Sequence, residues 1–176
     1  LAILFKLSFS ADSDLLINLS AMLFVLPFFL FSALGGQFGE KYRKDLLIRR
    51  IKLGEVGIML LGAFSLWQGN LPLMLVVLFA MGTQSALFGP VKYSILPQHL
   101  HEDELIGGNA LVEMGTFLAI LGGTLYAGLL MSGVAWAHWV GGSVVLVAVL
   151  GYLFSRRIPQ APAALPDLQL DWNIFR

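Results

Sequence analysis

Four stretches of this sequence carry residue types able to do chemistry. The first is FGPVKYSILP, residues 88–97, where Lys92 stands between Pro90 and Pro97 at the end of a long apolar run. An ammonium there attracts a phosphate as a point charge, or holds a carboxylate until another anion competes for it. The second is Glu113, inside the apolar run 105–131, with Asn109 one helical turn earlier on the same face. A carboxylate in such a run is costly without a partner and faces a bundle interior or a wet cavity. The third is GGQFGEKYRK, residues 35–44, in which glycines precede a carboxylate and clustered cations, a composition suited to a switchable network of ion pairs. The fourth, HLHEDE at 99–104, sets His101 two residues from Asp103, a base and an acid of the kind acyl transfer uses. Its acids also suit a loop that leads into the positive end of a helix, and no catalytic residue is assigned to it.

Other chemistries are less well supplied. The chain has no cysteine, which excludes a disulfide framework and sulfur-based zinc sites. His99, His101 and His138 show no ligand spacing of four, so no metal site is expected. No glycine-rich loop followed by Lys and Ser or Thr is present to cradle a nucleotide, and no cofactor is expected. A formal net charge of zero gives no reason to expect a nucleic-acid partner.

The elements that position these residues follow from hydropathy. Of 176 residues, 57% are hydrophobic and 12% charged, and the charged share is about half that of a soluble domain. The apolar residues gather in runs near the roughly 20 residues that a helix needs to cross a hydrocarbon core. The runs predict helices at 1–9, read as the end of a helix whose start is missing, and at 15–38, 47–67, 71–97, 105–131 and 134–154. Alternating segments of about ten residues, which a barrel would need, are absent. The fold expected is therefore all-α and integral to the membrane.

Alternate turns collect the charge. Lys41, Arg43, Lys44, Arg49, Arg50, Lys52, Lys92, Arg156, Arg157 and Arg176, ten of the eleven basic residues, fall on one side, and Lys6 on the other. By the positive-inside rule the basic loops are cytoplasmic. Trp67, Trp136 and Trp139 fall near the opposite ends, where amphipathic rings settle, although ordinary packing accounts for them equally well. Asp12 and Asp14 read as solvated loop charges, and Glu55 as the partner of a nearby basic residue. Small residues at spacings of four, Gly35 with Gly39, Gly82 with Ala86, and Ala119 with Gly123 and Ala127, predict close helix packing.

Lys92 lies about 30 Å along its predicted helix and Glu113 about 12 Å into the next, so the two come to similar depth near the basic end. Two accounts of Lys92 stay open. It snorkels to the headgroups at little cost, or the kink at Pro90 turns it inward to meet Glu113 or a ligand. After Tyr152 the character changes: residues 158–176 hold three of the seven prolines and read as an extended cytoplasmic connector, with LQLDWNIFR as a candidate interfacial helix.

These segments also carry a resemblance. GGQFGEKYRK resembles the loop signature of the major facilitator superfamily, with Gly36 as its first glycine, Glu40 its acid, Lys41 the following base and Lys44 the first of its basic pair. Arg43 stands where the second glycine is usual, and Asp45 replaces the other base. ALFGPVKYSILPQHL at 86–100, DELIGGNALVEMGTFLAILGGTLYAGLL at 103–130 and the segment 18–52 resemble the bacterial lysophospholipid transporters of that superfamily, including copies fused to an acyltransferase and an acyl-carrier-protein ligase.

The resemblance implies a partial six-helix amino-terminal lobe over 1–157, with helix one truncated, and an interlobe connector over 158–176. It implies a transporter in the bacterial cytoplasmic membrane that brings lysophospholipids of the lysophosphatidylethanolamine class to the inner leaflet for reacylation, by alternating access against a second, carboxy-terminal lobe. Its partners would be membrane lipids, that lobe and a fused or associated acyltransferase; this segment itself would not be an enzyme. Lys92, Glu113, Asn109 and Pro90 would bind substrate or gate, and Gly36, Glu40, Lys41 and Lys44 would form a cytoplasmic gating loop. Two alternatives are an efflux permease for other amphipathic solutes and an integral membrane acyltransferase.

Overall fold

The computed structural model describes residues 13–130 and 136–171. The segment predicted as the tail of a first helix, 1–9, lies outside them, as do the turn near residue 132 and the last five residues of the candidate interfacial helix. Five α-helices run through the described residues: α1 Ser13–Lys41, α2 Lys44–Gln68, α3 Leu71–Ser94, α4 Leu105–Leu130 and α5 Trp136–Ser155. Four of them, α1, α3, α4 and α5, are long and apolar enough to cross a membrane. In such a run every backbone amide must find its partner inside the segment, and the helix does this without help from water. By contrast α2 concentrates Lys44, Asp45, Arg49, Arg50, Lys52 and Glu55 in its first half.

Helix ends follow local chemistry. Gly69 closes α2 in the left-handed region at φ 65°, its N–H turned back to Leu66 O. Asn70 then caps α3 by accepting the Leu73 N–H at 3.0 Å. Predicted to reach residue 97, α3 instead ends at Ser94 and gives way to a 3₁₀ turn, Leu96–Gln98. Pro97 explains this: it supplies no N–H and disfavours helical geometry in the residue before it.

Packing rests on two helix pairs, α1 with α3 and α2 with α5, which meet along α2 and α3. The α1–α3 seam is built by small residues. A Cβ on Gly82 would collide with the Phe24 carbonyl oxygen and meet Pro27 Cγ at 3.1 Å. Pro90 leaves the Ala86 carbonyl without its helical N–H partner; there the chain of α1 comes so close that a Cβ on Gly35 would lie 2.9 Å from that oxygen. Gly39 packs on Val91 and Ser94, whereas Gly36 faces open space. Between α2 and α5, Gly141 fits against Ala63.

Among the described residues the stripe Ala119, Gly123, Ala127 does not pack: α4 buries no residue, and nothing there lies within 4 Å of a Cβ on Gly123. Among the described residues α4 meets the 3₁₀ turn, a short stretch of α5 and, through Lys92, the end of α3, and none of these covers Gly123.

Candidate functional site

Two ionic sites form at the end of the bundle where α1 and α3 finish and α2 and α4 begin. The first joins α3 to α4. Lys92, two residues before the end of α3, points its Nζ toward α4, where it lies 3.9 Å from Glu113 Oε1 and donates to Thr116 Oγ1 at 3.2 Å. Thr116 can accept because its own hydroxyl proton goes to Val112 O, 2.9 Å away in the preceding turn. The ammonium also sits 4.6 Å from the centroid of the Tyr93 ring, a cation–π arrangement. Beneath it, Val91 is fully buried against α1, which fixes the backbone from which Lys92 projects.

The pair is open. The Lys92 side chain is 23% exposed and that of Glu113 44%, and 3.9 Å is beyond hydrogen-bond length. Asn109, expected beside Glu113, is exposed and donates to Leu105 O of its own helix at 2.9 Å, so it is not drawn to Lys92. Pro90 lies inside α3, which continues unbroken to Ser94. Thr116 gives no signal in the sequence, because a threonine bonded to the carbonyl four residues back is unremarkable within an apolar helix.

The second site surrounds the turn between α1 and α2. Asp45, in the first turn of α2, has a side chain only 1% exposed. Its Oδ1 accepts from Arg43 Nε and from the Ala161 N–H, both at 3.3 Å, and its Oδ2 from Arg43 Nη2 at 3.1 Å. Arg49 Nη2 stands 3.8 Å away and donates to Ile158 O at 3.1 Å. Burial pushes the Asp45 carboxyl upward, yet the Arg43 hydrogen bonds, the Ala161 amide and the charges of Arg43 and Arg49 outweigh it and hold the group below the ordinary carboxylate value.

Around this core the connector is strapped down. Ala161 O accepts the Lys44 N–H at 3.0 Å, and the Leu165 N–H reaches Glu40 O at 2.9 Å. Gln98 Nε2 donates to Pro162 O, and the Gln37 side-chain amide exchanges two hydrogen bonds with the backbone of Asp171. The connector is extended, as its prolines require, but it is seated across the ends of α1, α2 and α3. Residues 168–171, the described part of the candidate interfacial helix, are not helical.

The expected loop residues divide. Gly36, Glu40 and Lys41 belong to the last turns of α1, where Glu40 contributes its backbone carbonyl to the strap. Lys44 opens α2 and is buried, 2% exposed, with no acidic partner among the described residues. Asp45, which the loop pattern marks only as a departure, is the hub.

The remaining charges are local. Glu55 bonds Lys52 Nζ at 2.7 Å and Gln84 Nε2 at 3.0 Å, while Lys52 sits 4.8 Å from the Phe88 ring centroid. In HLHEDE, Glu104 Oε2 accepts the His101 backbone N–H and the Glu104 carbonyl accepts the Gly108 N–H. The segment therefore forms the turn that leads into α4.

The family profile described as Major Facilitator Superfamily matches residues 1–174. The chain belongs to the major facilitator superfamily. Curated relatives include proteins named lysophospholipid transporter LplT. The one from Klebsiella pneumoniae subsp. pneumoniae is 33% identical over 149 residues, covering 82% of this chain and 34% of the relative. That of Photorhabdus laumondii subsp. laumondii is 32% identical over 154 residues, with 87% and 36% covered. That of Escherichia coli O1:K1 is 31% identical over 160 residues, with 88% and 36% covered. The chain thus spans about a third of the length of the curated relatives it matches. No solved structure matches it. Membership of this superfamily, together with four helices fit to span a bilayer, makes it a multi-pass membrane protein of a transporter family.

Proposed function

We propose that this chain is the amino-terminal lobe, residues 1–157, and interlobe connector, 158–176, of a carrier that moves lysophospholipids of the lysophosphatidylethanolamine class to the inner leaflet of a bacterial cytoplasmic membrane for reacylation. On this reading helices two to six of a six-helix lobe correspond to α1 to α5, and a second lobe completes the cavity by alternating access. The basic loops face the cytoplasm, and a fused or associated acyltransferase consumes the delivered lipid. The names of the relatives support the cargo.

The observation that carries the reading is the loose Lys92–Glu113 pair between α3 and α4. A lysophospholipid brings one phosphate, and Lys92 suits it as a point charge. The pair is long and half open, so the incoming phosphate replaces Glu113 as the counter-ion of Lys92 without a buried bridge having to break. Thr116 Oγ1 holds the ammonium in place during the exchange. The freed Glu113 carboxylate then faces the primary ammonium of an ethanolamine headgroup. Pro90 sets the direction of the last turn of α3, and Asn109, one turn before Glu113, lines the approach. Gly36, Glu40, Lys41 and Lys44 act as the gating loop, which is tied to the connector through the backbones of Glu40 and Lys44.

The test is uptake of labelled lysophosphatidylethanolamine by cells or vesicles containing the full-length protein. Lys92→Met is expected to lower uptake at least about tenfold, the loss of one charge-assisted contact, and Lys92→Arg to retain part of it. Unchanged uptake by Lys92→Met, at equal protein abundance, leaves Lys92 as a snorkelling residue and removes the proposed site.

A further inference from the structure

Beside the Asp45 hub lies a cleft that the transport reading does not use. Its volume is about 550 Å³, and its lining includes Tyr42, Arg43, Leu46, Leu47 and Arg50 from the α1–α2 turn and the first turns of α2, with Leu170 of the connector closing one side. We propose that this cleft binds the headgroup of an anionic phospholipid from the surrounding bilayer.

Three observations carry the assignment. The first is charge. Among the described residues no acid lines the cleft, and Arg50 is exposed, with neither an ion pair nor a hydrogen-bonded side chain. Arg43 spends Nε and one Nη2 proton on Asp45, so three of the five guanidinium donors are left on a side chain that is 45% exposed. Close by, Lys44 has no acidic partner and Arg49 Nε is buried without an acceptor, both among the described residues, so Asp45 does not neutralise the cations around it. Two guanidiniums facing one cleft are the fork geometry that receives phosphate oxygens.

The second observation is depth. The cleft sits where the apolar span Leu15–Lys41 ends and the charged start of α2 begins, the level of lipid headgroups. The third is its walls. Leu46 and Tyr42 are large and exposed there, and with Leu47 and Leu170 they offer apolar surface to the glycerol and upper acyl carbons. A zwitterionic headgroup would set its own ammonium against Arg50, so the cleft selects net negative charge. Because Leu170 belongs to the connector, the cleft is complete only while the strap is seated, and lipid occupancy favours the seated strap by the same linkage.

The full-length protein, stripped of lipid in neutral detergent, is titrated with short-chain phosphatidylglycerol, with phosphatidylcholine of the same chains, and with inorganic phosphate. Phosphatidylglycerol is expected to bind at least about tenfold more tightly than either of the others, with Arg50→Gln and Leu170→Asp each removing most of that preference. Arg50 has no partner to lose, so the melting temperature of Arg50→Gln should match the parent and serves as the folding control. An unchanged lipid preference in Arg50→Gln overturns the site, and inorganic phosphate binding as tightly as the lipid overturns the lipid as its occupant. The inference stands apart from the transport reading, since loss of uptake in Lys92→Met neither supports nor weakens it.

Discussion

Asp45 and Glu113 are both carboxylates set among cations at the same end of the bundle, yet they are held in opposite ways. Asp45 is enclosed, with three hydrogen bonds at 3.1–3.3 Å and a second arginine at 3.8 Å. Glu113 is nearly half exposed and meets one ammonium at 3.9 Å. A buried carboxylate engaged by three hydrogen bonds holds parts together, because breaking them leaves polar groups without their partners. A half-open pair costs little to separate and little to re-form. The difference assigns fastening to the α1–α2 turn and exchange to the α3–α4 pair.

The largest effect expected of a single substitution is therefore at Asp45. Asp45→Ala leaves the Ala161 N–H without its acceptor and takes the counter-ion from Arg43 and Arg49, which are 45% and 33% exposed and keep their water, so the cost is that of lost hydrogen bonds to a charged acceptor, about 1.5–3 kcal/mol. Thermal denaturation in detergent should show a lower midpoint, and limited proteolysis should cut faster within 158–171 as the strap lifts. The dependence on pH has a defined sign. The folded state depresses the Asp45 pKa, so the unfolded chain binds the proton first as pH falls. The contribution is full above about pH 4 and is lost as pH drops through the lower folded value. Between pH 5 and 8 the strap should be insensitive to pH on this account, and protection of 158–171 that varied across that window would argue against Asp45 as its anchor.

A second substitution touches the frame that both sites share. Helix α1 leads into the turn that holds Asp45 and α3 carries Lys92, and the two helices meet where a Cβ on Gly82 would strike the Phe24 carbonyl. Backbone atoms give way less readily than side chains, so Gly82→Ala should cost about 1–3 kcal/mol. Gly36→Ala, on the same stretch of α1 as Gly35 but facing open space, should be neutral or slightly stabilising. Equal melting temperatures for the two variants would remove the seam as the shared frame.

How far these features were legible in the sequence depends on what encodes them. Four of the five described helices were legible because each is written as an apolar run of membrane length, and the α1–α3 seam because small side chains spaced by four mark close approach. The strap was not. Its contacts fall on backbone groups, Ile158 O, Ala161 N and O, Pro162 O and Leu165 N, and no pattern of side chains records where a carbonyl will point. Asp45 meets Ala161 across 116 positions, and within the basic turn it reads only as a misplaced acid. The unpacked stripe on α4 marks the converse limit: spacing predicts a packing face but not whether the described helices supply its partner.

The smallest effect expected, and the sharpest test of the contrast, is the stability of the open pair. Glu113 is too exposed for its attraction to Lys92 to count at interior strength, and solvent screening reduces a pair of this kind to about 0.2–1 kcal/mol. Lys92→Met, Glu113→Gln and the double variant form a cycle whose coupling energy isolates that attraction from each side chain's other contacts. The coupling measured by thermal denaturation should stay below about 1 kcal/mol and shrink further in high salt. The corresponding cycle with Arg43→Gln and Asp45→Asn should give a stronger coupling that salt reduces less, since Asp45 is 1% exposed and only the Arg43 side of the pair is open to counter-ions. If the Lys92–Glu113 coupling proved as large and as resistant to salt, the pair would be a fastening like the other. A phosphate would then have to break a strong bridge to reach the lysine, which is the step that an open pair avoids.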